Sequence, residues 1–193
     1  MKIAIFTILT TFIALHCYGN DKPAYWNQFR GPDGDGDAKS ANLPLKFSEK
    51  QNLTWKTPMP GKAWSSPVVM NGKIWLTNAE PEGFKMWAIQ VDWHSGKELK
   101  KVLVFENKEP QYCHPMNSYG TPTPVIYDGR VFVHFGTHGT AALDAQSGQV
   151  LWKRRDFKCD HFRGAAASPI VFNDSLIVHF DGHDLQYIVC LDQ

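Results

Sequence analysis

An all-β chain built from repeats is predicted by three observations. Short runs rich in Val, Ile, Phe and Trp recur between Asn, Asp, Gly and Pro turn signals along all 193 residues. Long stretches with apolar residues at i, i+3, i+4 and i+7 are hard to find. A polar-Pro-aliphatic-aliphatic phrase appears three times, as Ser66-Pro67-Val68-Val69, Thr123-Pro124-Val125-Ile126 and Ser168-Pro169-Ile170-Val171. Its prolines lie 57 and 45 residues apart. The hydrophobic fraction of 43% supplies a core and excludes a disordered chain.

Residues 1–19 read as a secretory signal peptide: one charge at Lys2, an apolar run from Ile3 to Leu15, then small and polar residues to Gly19. The run is too short for a membrane span. A lipid anchor on Cys17 is the rival reading, opposed by His16 where such sites want a small residue. The expected location is therefore periplasmic or extracellular. Removing Lys2 takes the formal net charge from +1 to zero, and nothing points to nucleic acid. The cysteines left are Cys113, Cys159 and Cys190. Cys113 and Cys159 occupy equivalent positions and either pair or stay free, while Cys190 reads as a buried space-filler.

Residues 20–52 form an N-terminal arm anchored by Trp26 and Phe29. Asp33, Asp35 and Asp37 suggest a calcium loop, but the bidentate acid such a loop needs is missing, so a solvated turn is expected. Repeats fill 53–193. After each Pro-bearing strand comes a tight turn and a second strand: Asn71-Gly72, Asp128-Gly129 and Asn173-Asp174 mark the turns. Val91-Asp92, Leu143-Asp144 and Leu191-Asp192 then introduce the turn into a closing strand. The fullest version is Ala142-Leu143-Asp144, Gly148 and Trp152, in which Asp144 bonds backbone N–H groups and Gly148 supplies a permissive φ. Asn52-Leu53-Thr54-Trp55-Lys56 resembles the closing strand Gln149-Val150-Leu151-Trp152-Lys153, so the repeat region opens with the end of a unit. A four-strand unit at a period of about 40–50 residues predicts a partial β-propeller of about three blades.

With Asp92, Gly96, Asp144, Gly148, Asp192, Trp55 and Trp152 in register, the chain resembles the pyrroloquinoline-quinone-type (PQQ-like) propeller repeat. That resemblance implies a larger propeller of about 7–8 blades, with Trp55 and Trp152 docking against neighbouring blades. Lys100 stands where the spacing from Gly96 calls for Trp, and Gln90 and Cys190 replace the small Ala142, so the first blade should be less regular. The arm and the loops His114 to Thr123 and His161 to Pro169 look like secreted PQQ-like repeat proteins of planctomycete-type bacteria. Those are often labelled after the propeller of the outer-membrane barrel-assembly machine. The implied function is a non-catalytic binding or scaffold module whose partner is another protein or a cell-envelope component. The alternative is a quinoprotein alcohol dehydrogenase with its catalytic residues elsewhere, and PQQ and calcium are expected only under that alternative. Such enzymes use adjacent cysteines, and none are adjacent here.

No catalytic constellation is legible. Histidine is the residue to watch, because Val133-His134-Phe135-Gly136-Thr137-His138 matches Val178-His179-Phe180-Asp181-Gly182-His183. His134, His138, His179 and His183 are candidate transition-metal ligands if equivalent loops converge. The competing reading is that strand-end histidines bond backbone carbonyls and repeat because the fold repeats.

Overall fold

The structure, a computed structural model, describes residues 25–38 and 43–192, so the expected signal peptide and the Cys17 anchor lie outside the described residues. Among the described residues, eleven strands form three antiparallel sheets. The first sheet runs β1 (Val68–Met70), β2 (Lys73–Ala79), β3 (Lys85–Asp92), β4 (Glu98–Glu106), in sequence order. The second runs β5 (Val125–Tyr127), β6 (Arg130–His134), β7 (Thr140–Asp144), β8 (Val150–Arg154), with a 3-10 turn at Gly136–His138. The third has three strands among the described residues: β9 (Ile170–Phe172), β10 (Ser175–Asp181) and β11 (Gln186–Asp192). Each sheet is a meander in which every strand pairs with its sequence neighbour, which is how a propeller blade is built.

Local chemistry fixes each hairpin. Asn71-Gly72, Asp128-Gly129 and Asn173-Asp174 all have positive φ, the signature of two-residue I′ turns whose twist matches the flanking strands. Asp174 tolerates φ of 62° without glycine, and its carboxylate accepts a 2.6 Å bond from the Tyr127 hydroxyl of the blade before. In the β3–β4 turn, Asp92 Oδ1 accepts from the Ser95 N–H at 2.8 Å and its hydroxyl at 2.7 Å. Asp144 repeats this with Ser147, both bonds 2.6 Å. Those donors hold both carboxyls below the usual carboxylate range.

The blades stack through two apolar clusters, and a third packs Trp26, Trp55 and Met59 on the first blade. Val68, Trp75 and Met86 of the first blade meet Ile126, Val131 and Leu143 of the second. Phe132 and Ala142 of the second meet Leu176, Val178 and Leu191 of the third, with Trp152 packed against the seam. The Trp55 indole lies over the first blade: its Nε1 donates to Trp93 O at 2.9 Å, and a Cβ on Gly96 would fall 2.5 Å from the ring. Lys100 does for the next seam what the missing Trp would do. A Cβ on Gly148 would meet Lys100 Cδ at 2.8 Å, so the aliphatic stem covers that glycine while the ammonium reaches solvent. As expected from Lys100, the first blade is less regular, with two register shifts between β3 and β4 against one between β7 and β8.

The Pro-bearing phrases also link blades. The Ser66 N–H donates to Thr123 Oγ1 and the Thr123 N–H to Ser168 Oγ, both at 3.0 Å, one bond per repeat step. The arm crosses the inner strands: Trp26 exchanges two 2.8 Å backbone bonds with Val69, and Asn27 accepts from the Ile126 N–H at 2.8 Å. Asp35 Oδ1 accepts from the Asp37 N–H in an exposed turn.

One expectation is corrected, and one repeated pair proves unequal. Cys190 is exposed rather than a buried filler, because β11 is an edge strand and no blade covers its face among the described residues. His134 and His179 are equivalent in register yet differ in environment: His134 is fully buried against Phe180 of the third blade, and His179 is exposed beside Ile188.

Candidate functional site

The connections from one blade to the next and the β6–β7 and β10–β11 turns share one face of the fan; the I′ turns and the Asp92 and Asp144 turns share the other. The first face carries Cys113, Cys159 and most histidines. It is assembled by two loops, 107–124 and 155–169, that grip each other. Gln111 accepts from the His161 N–H at 2.9 Å and donates to Cys159 O at 3.2 Å. Asn117 Nδ2 donates to Arg163 O at 2.9 Å and Gly164 O at 3.0 Å. The Tyr119 hydroxyl, 2.6 Å from Gln111 O, ties the first loop to itself.

The four candidate metal ligands do not converge. His138 Nε2 accepts from the Gln111 N–H at 3.1 Å, which leaves the proton on Nδ1 to donate to Phe135 O at 3.2 Å. His134 Nδ1 lies 2.9 Å from Thr140 Oγ1, and its Nε2 is buried without a partner. Burial pushes His134 down to about 3 and His138 to about 4, so both are neutral at ordinary pH. His183 is exposed, its ring 6.0 Å from Phe162. Among the described residues no three His, Cys, Asp or Glu side chains are grouped to hold a metal ion.

A different constellation does assemble. Cys159 Sγ lies 3.1 Å from His161 Nε2, and His161 Nδ1 lies 3.3 Å from Asp181 Oδ1. The order thiol, imidazole, carboxylate is that of an activated nucleophile. Its environment works against that use. Cys159 and His161 are each 4% exposed, and the β10–β11 turn closes over them, with Asp184 accepting from the Asp160 N–H and the His183 N–H donating to Asp160 O. Burial, with Asp184, Asp181 and Asp160 nearby, pushes the thiol up to about 11, and burial lowers His161 despite Asp181. The arrangement is a buried thiol satisfied by an imidazole. Its sequence signal, Cys159-Asp160-His161, was visible; the contribution of Asp181 from the next strand was not. Gln111 and Asn117 carried no signal at all, since a lone amide in a loop reads as solvated.

Cys113 and Cys159 are free thiols, as is Cys190. Cys113 packs under Gly164, with its Sγ 3.8 Å from Arg163 O, instead of facing Cys159. Cys113, Cys159 and Cys190 are not neighbours in the chain, and among the described residues no three His, Cys, Asp or Glu side chains are grouped to hold a calcium ion.

What the loop face does present is apolar side chains. Tyr112 (59% exposed) and Met116 (82%) on the first loop, Phe162 (58%) on the second and Leu185 (57%) on the β10–β11 turn stand out from it. Below His138 a cleft of about 480 Å³ has mixed charge, with Glu109, Lys108, Arg155 and Lys158 in its wall. A second cavity, about 540 Å³, lies under the arm between Arg30, Trp64, Thr123 and Ser168.

Among solved structures, quinohemoprotein alcohol dehydrogenase ADHIIG from Pseudomonas putida HK5 is similar, with a TM-score of 0.50 and 18% identity over 72% of this chain and 20% of that one. Quinohemoprotein alcohol dehydrogenase from Comamonas testosteroni gives 0.49 at 18% identity, over 68% and 19%. BamB from Moraxella catarrhalis gives 0.48 at 15% identity, over 72% and 36%. The chain thus spans about a fifth to a third of the length of these structures, and at such identities the likeness concerns the fold. No curated protein matches the chain. A family model described as outer membrane protein assembly factor BamB matches residues 48–174 and 114–190, and together these matches cover both complete blades and nearly all of the third. Matched over most of the repeat region, the chain belongs to this PQQ-like propeller family.

Proposed function

We propose that the chain is a secreted or periplasmic binding module that holds a protein partner on its loop face and performs no chemistry itself. The carrying observation is the set Tyr112, Met116, Phe162 and Leu185, exposed on loops that Gln111 and Asn117 hold in place. Aromatic residues and Met are enriched at protein interfaces, and loops fixed beforehand lose little entropy on binding. The one nucleophile-like constellation is buried and carries a neutral thiol, so it supports structure rather than turnover. A family described by an outer membrane protein assembly factor agrees with a protein-contacting role in the envelope.

The test pairs two measurements on the full chain. A photo-cross-linking benzoylphenylalanine at position 162 is expected to give a discrete protein adduct in cell-envelope preparations, and one at position 97, on the opposite face, none. Pyrroloquinoline quinone and calcium are expected to elicit no dye-linked alcohol oxidation. Quinone-dependent turnover, or equal cross-linking from both faces, would overturn the reading.

A further inference from the structure

The cleft of about 480 Å³ below His138 lies between the two four-stranded blades, where the chain leaves β4 at Glu106 and β8 at Arg154. Two of its cations are held in place by neutral oxygens. Arg155 Nη1 donates to Glu106 O at 3.1 Å and its Nη2 donates to Asn107 Oδ1, while Lys158 Nζ donates to Thr137 O at 2.9 Å. Asp156, between them in sequence, is bonded through both oxygens to Arg154. Among the described residues no carboxylate forms an ion pair with Arg155 or Lys158. Both cations keep donors to spare, since a guanidinium has five N–H groups and an ammonium three.

The two charges converge. Burial lowers the proton affinity of His138, and Arg155 and Lys158 lower it further; burial also leads for Lys158, with Arg155 adding to it. With Lys108, the wall sets three cations against Glu106 and Glu109, which leaves one positive charge. A single carboxylate cancels that charge, whereas a zwitterion leaves it standing and a phosphate or polyanion exceeds it. The cleft also borders the apolar part of the loop face. Gln111 lines it and donates its N–H to His138, which puts the exposed Tyr112 one residue away, about 3.8 Å along the chain.

We propose that this cleft receives one aspartate or glutamate side chain of the protein partner, its carboxylate taken between Arg155 and Lys158, while an apolar neighbour in the partner packs on Tyr112. The proposal rests on the loop face being the surface that holds that partner. Because the cations are fixed before the partner arrives, little side-chain freedom is lost on binding.

The test uses the full chain carrying benzoylphenylalanine at position 162, with adduct yield from cell-envelope preparations followed against sodium chloride concentration. The yield is expected to fall as salt rises. Lys158→Gln is expected to lower the low-salt yield about two- to fivefold and to flatten the salt response. Lys158→Arg should preserve both, and Arg163→Gln, a charge on the same loops outside the cleft, should change neither. Lys158 makes one hydrogen bond, so its replacement leaves the grip of Gln111 and Asn117 on the second loop intact, and thermal melts check this. Absence of any adduct with Lys158 in place would remove the loop-face reading and this proposal with it. An adduct indifferent to salt, undiminished by Lys158→Gln, or weakened equally by Arg163→Gln would overturn this proposal alone.

Discussion

The second and third blades carry matching side chains in matching register and give them opposite surroundings. Val125 is 1% exposed and its counterpart Ile170 is 47% exposed; Ala142 is buried and Cys190 is exposed; His134 is fully buried and His179 is in solvent. The sheets themselves are built alike, each a meander opened by an I′ turn. The difference comes from what stacks on the next face. In this fold a blade organises its own backbone, but its neighbour makes its core. The same lesson explains His134: its neutrality follows from Phe180 and the third blade lying over it, and not from anything in β6 itself.

That comparison can be broken most easily at Phe132, which sits fully buried between the second and third blades, 6.2 Å from the Trp152 ring. Phe132→Ala is expected to cost about 3–5 kcal/mol in denaturant unfolding. Phe172→Ala, on the open face, should stay within about 0.5 kcal/mol in dilute solution. Comparable losses at both positions would mean that the open face is already covered.

A smaller effect is expected at the docking glycines. Gly96→Ala drives a Cβ into the Trp55 ring at positive φ and should cost about 1–3 kcal/mol. Gly129 has the same φ preference and open space around it, so Gly129→Ala should cost about 1 kcal/mol or less. Urea midpoints of the two variants test whether the indole, beyond the turn geometry, demands the glycine.

The histidines sharpen the comparison through pH. Folding lowers the affinity of His134 and His138 for protons, with folded values of about 3 and 4 against 6.5 ordinarily. Between those values and 6.5 the unfolded chain binds more protons, so stability falls as the pH falls from 6.5 toward 4 and is unaffected by these groups above about 7. Each should contribute roughly 1.4 kcal/mol per pH unit in that window. His138→Gln should flatten the slope measured by thermal unfolding from pH 7 to 5.

Much of this fold is legible in the sequence because its devices are local. The I′ turns are readable at Asn71-Gly72 and Asp128-Gly129, and the side-chain turn at Asp144-Gln146-Ser147, since each needs only residues adjacent in the chain. Comparing two closing strands matches Trp55 to Trp152, and its docking role is what the family resemblance implies. The loop face was hidden for the opposite reason: Gln111 reaches His161 across 50 residues and Asn117 reaches Arg163 across 46. The repeated His and Cys pairs suggested a shared site, yet Cys113 and Cys159 point to different partners because the two loops interlock instead of facing each other. Cys190 looked buried because its register is that of Ala142; the cover that buries Ala142 belongs to another blade.

The most direct measurement is the rate at which each native cysteine is alkylated, resolved by peptide mass spectrometry. The expected order is Cys190 fastest, then Cys113, with Cys159 protected until the chain unfolds, as its place beneath the β10–β11 turn requires. Alkylation of Cys159 at the rate of Cys190 would contradict the account, because the seam between the second and third blades would then be as open as the outer face of the third.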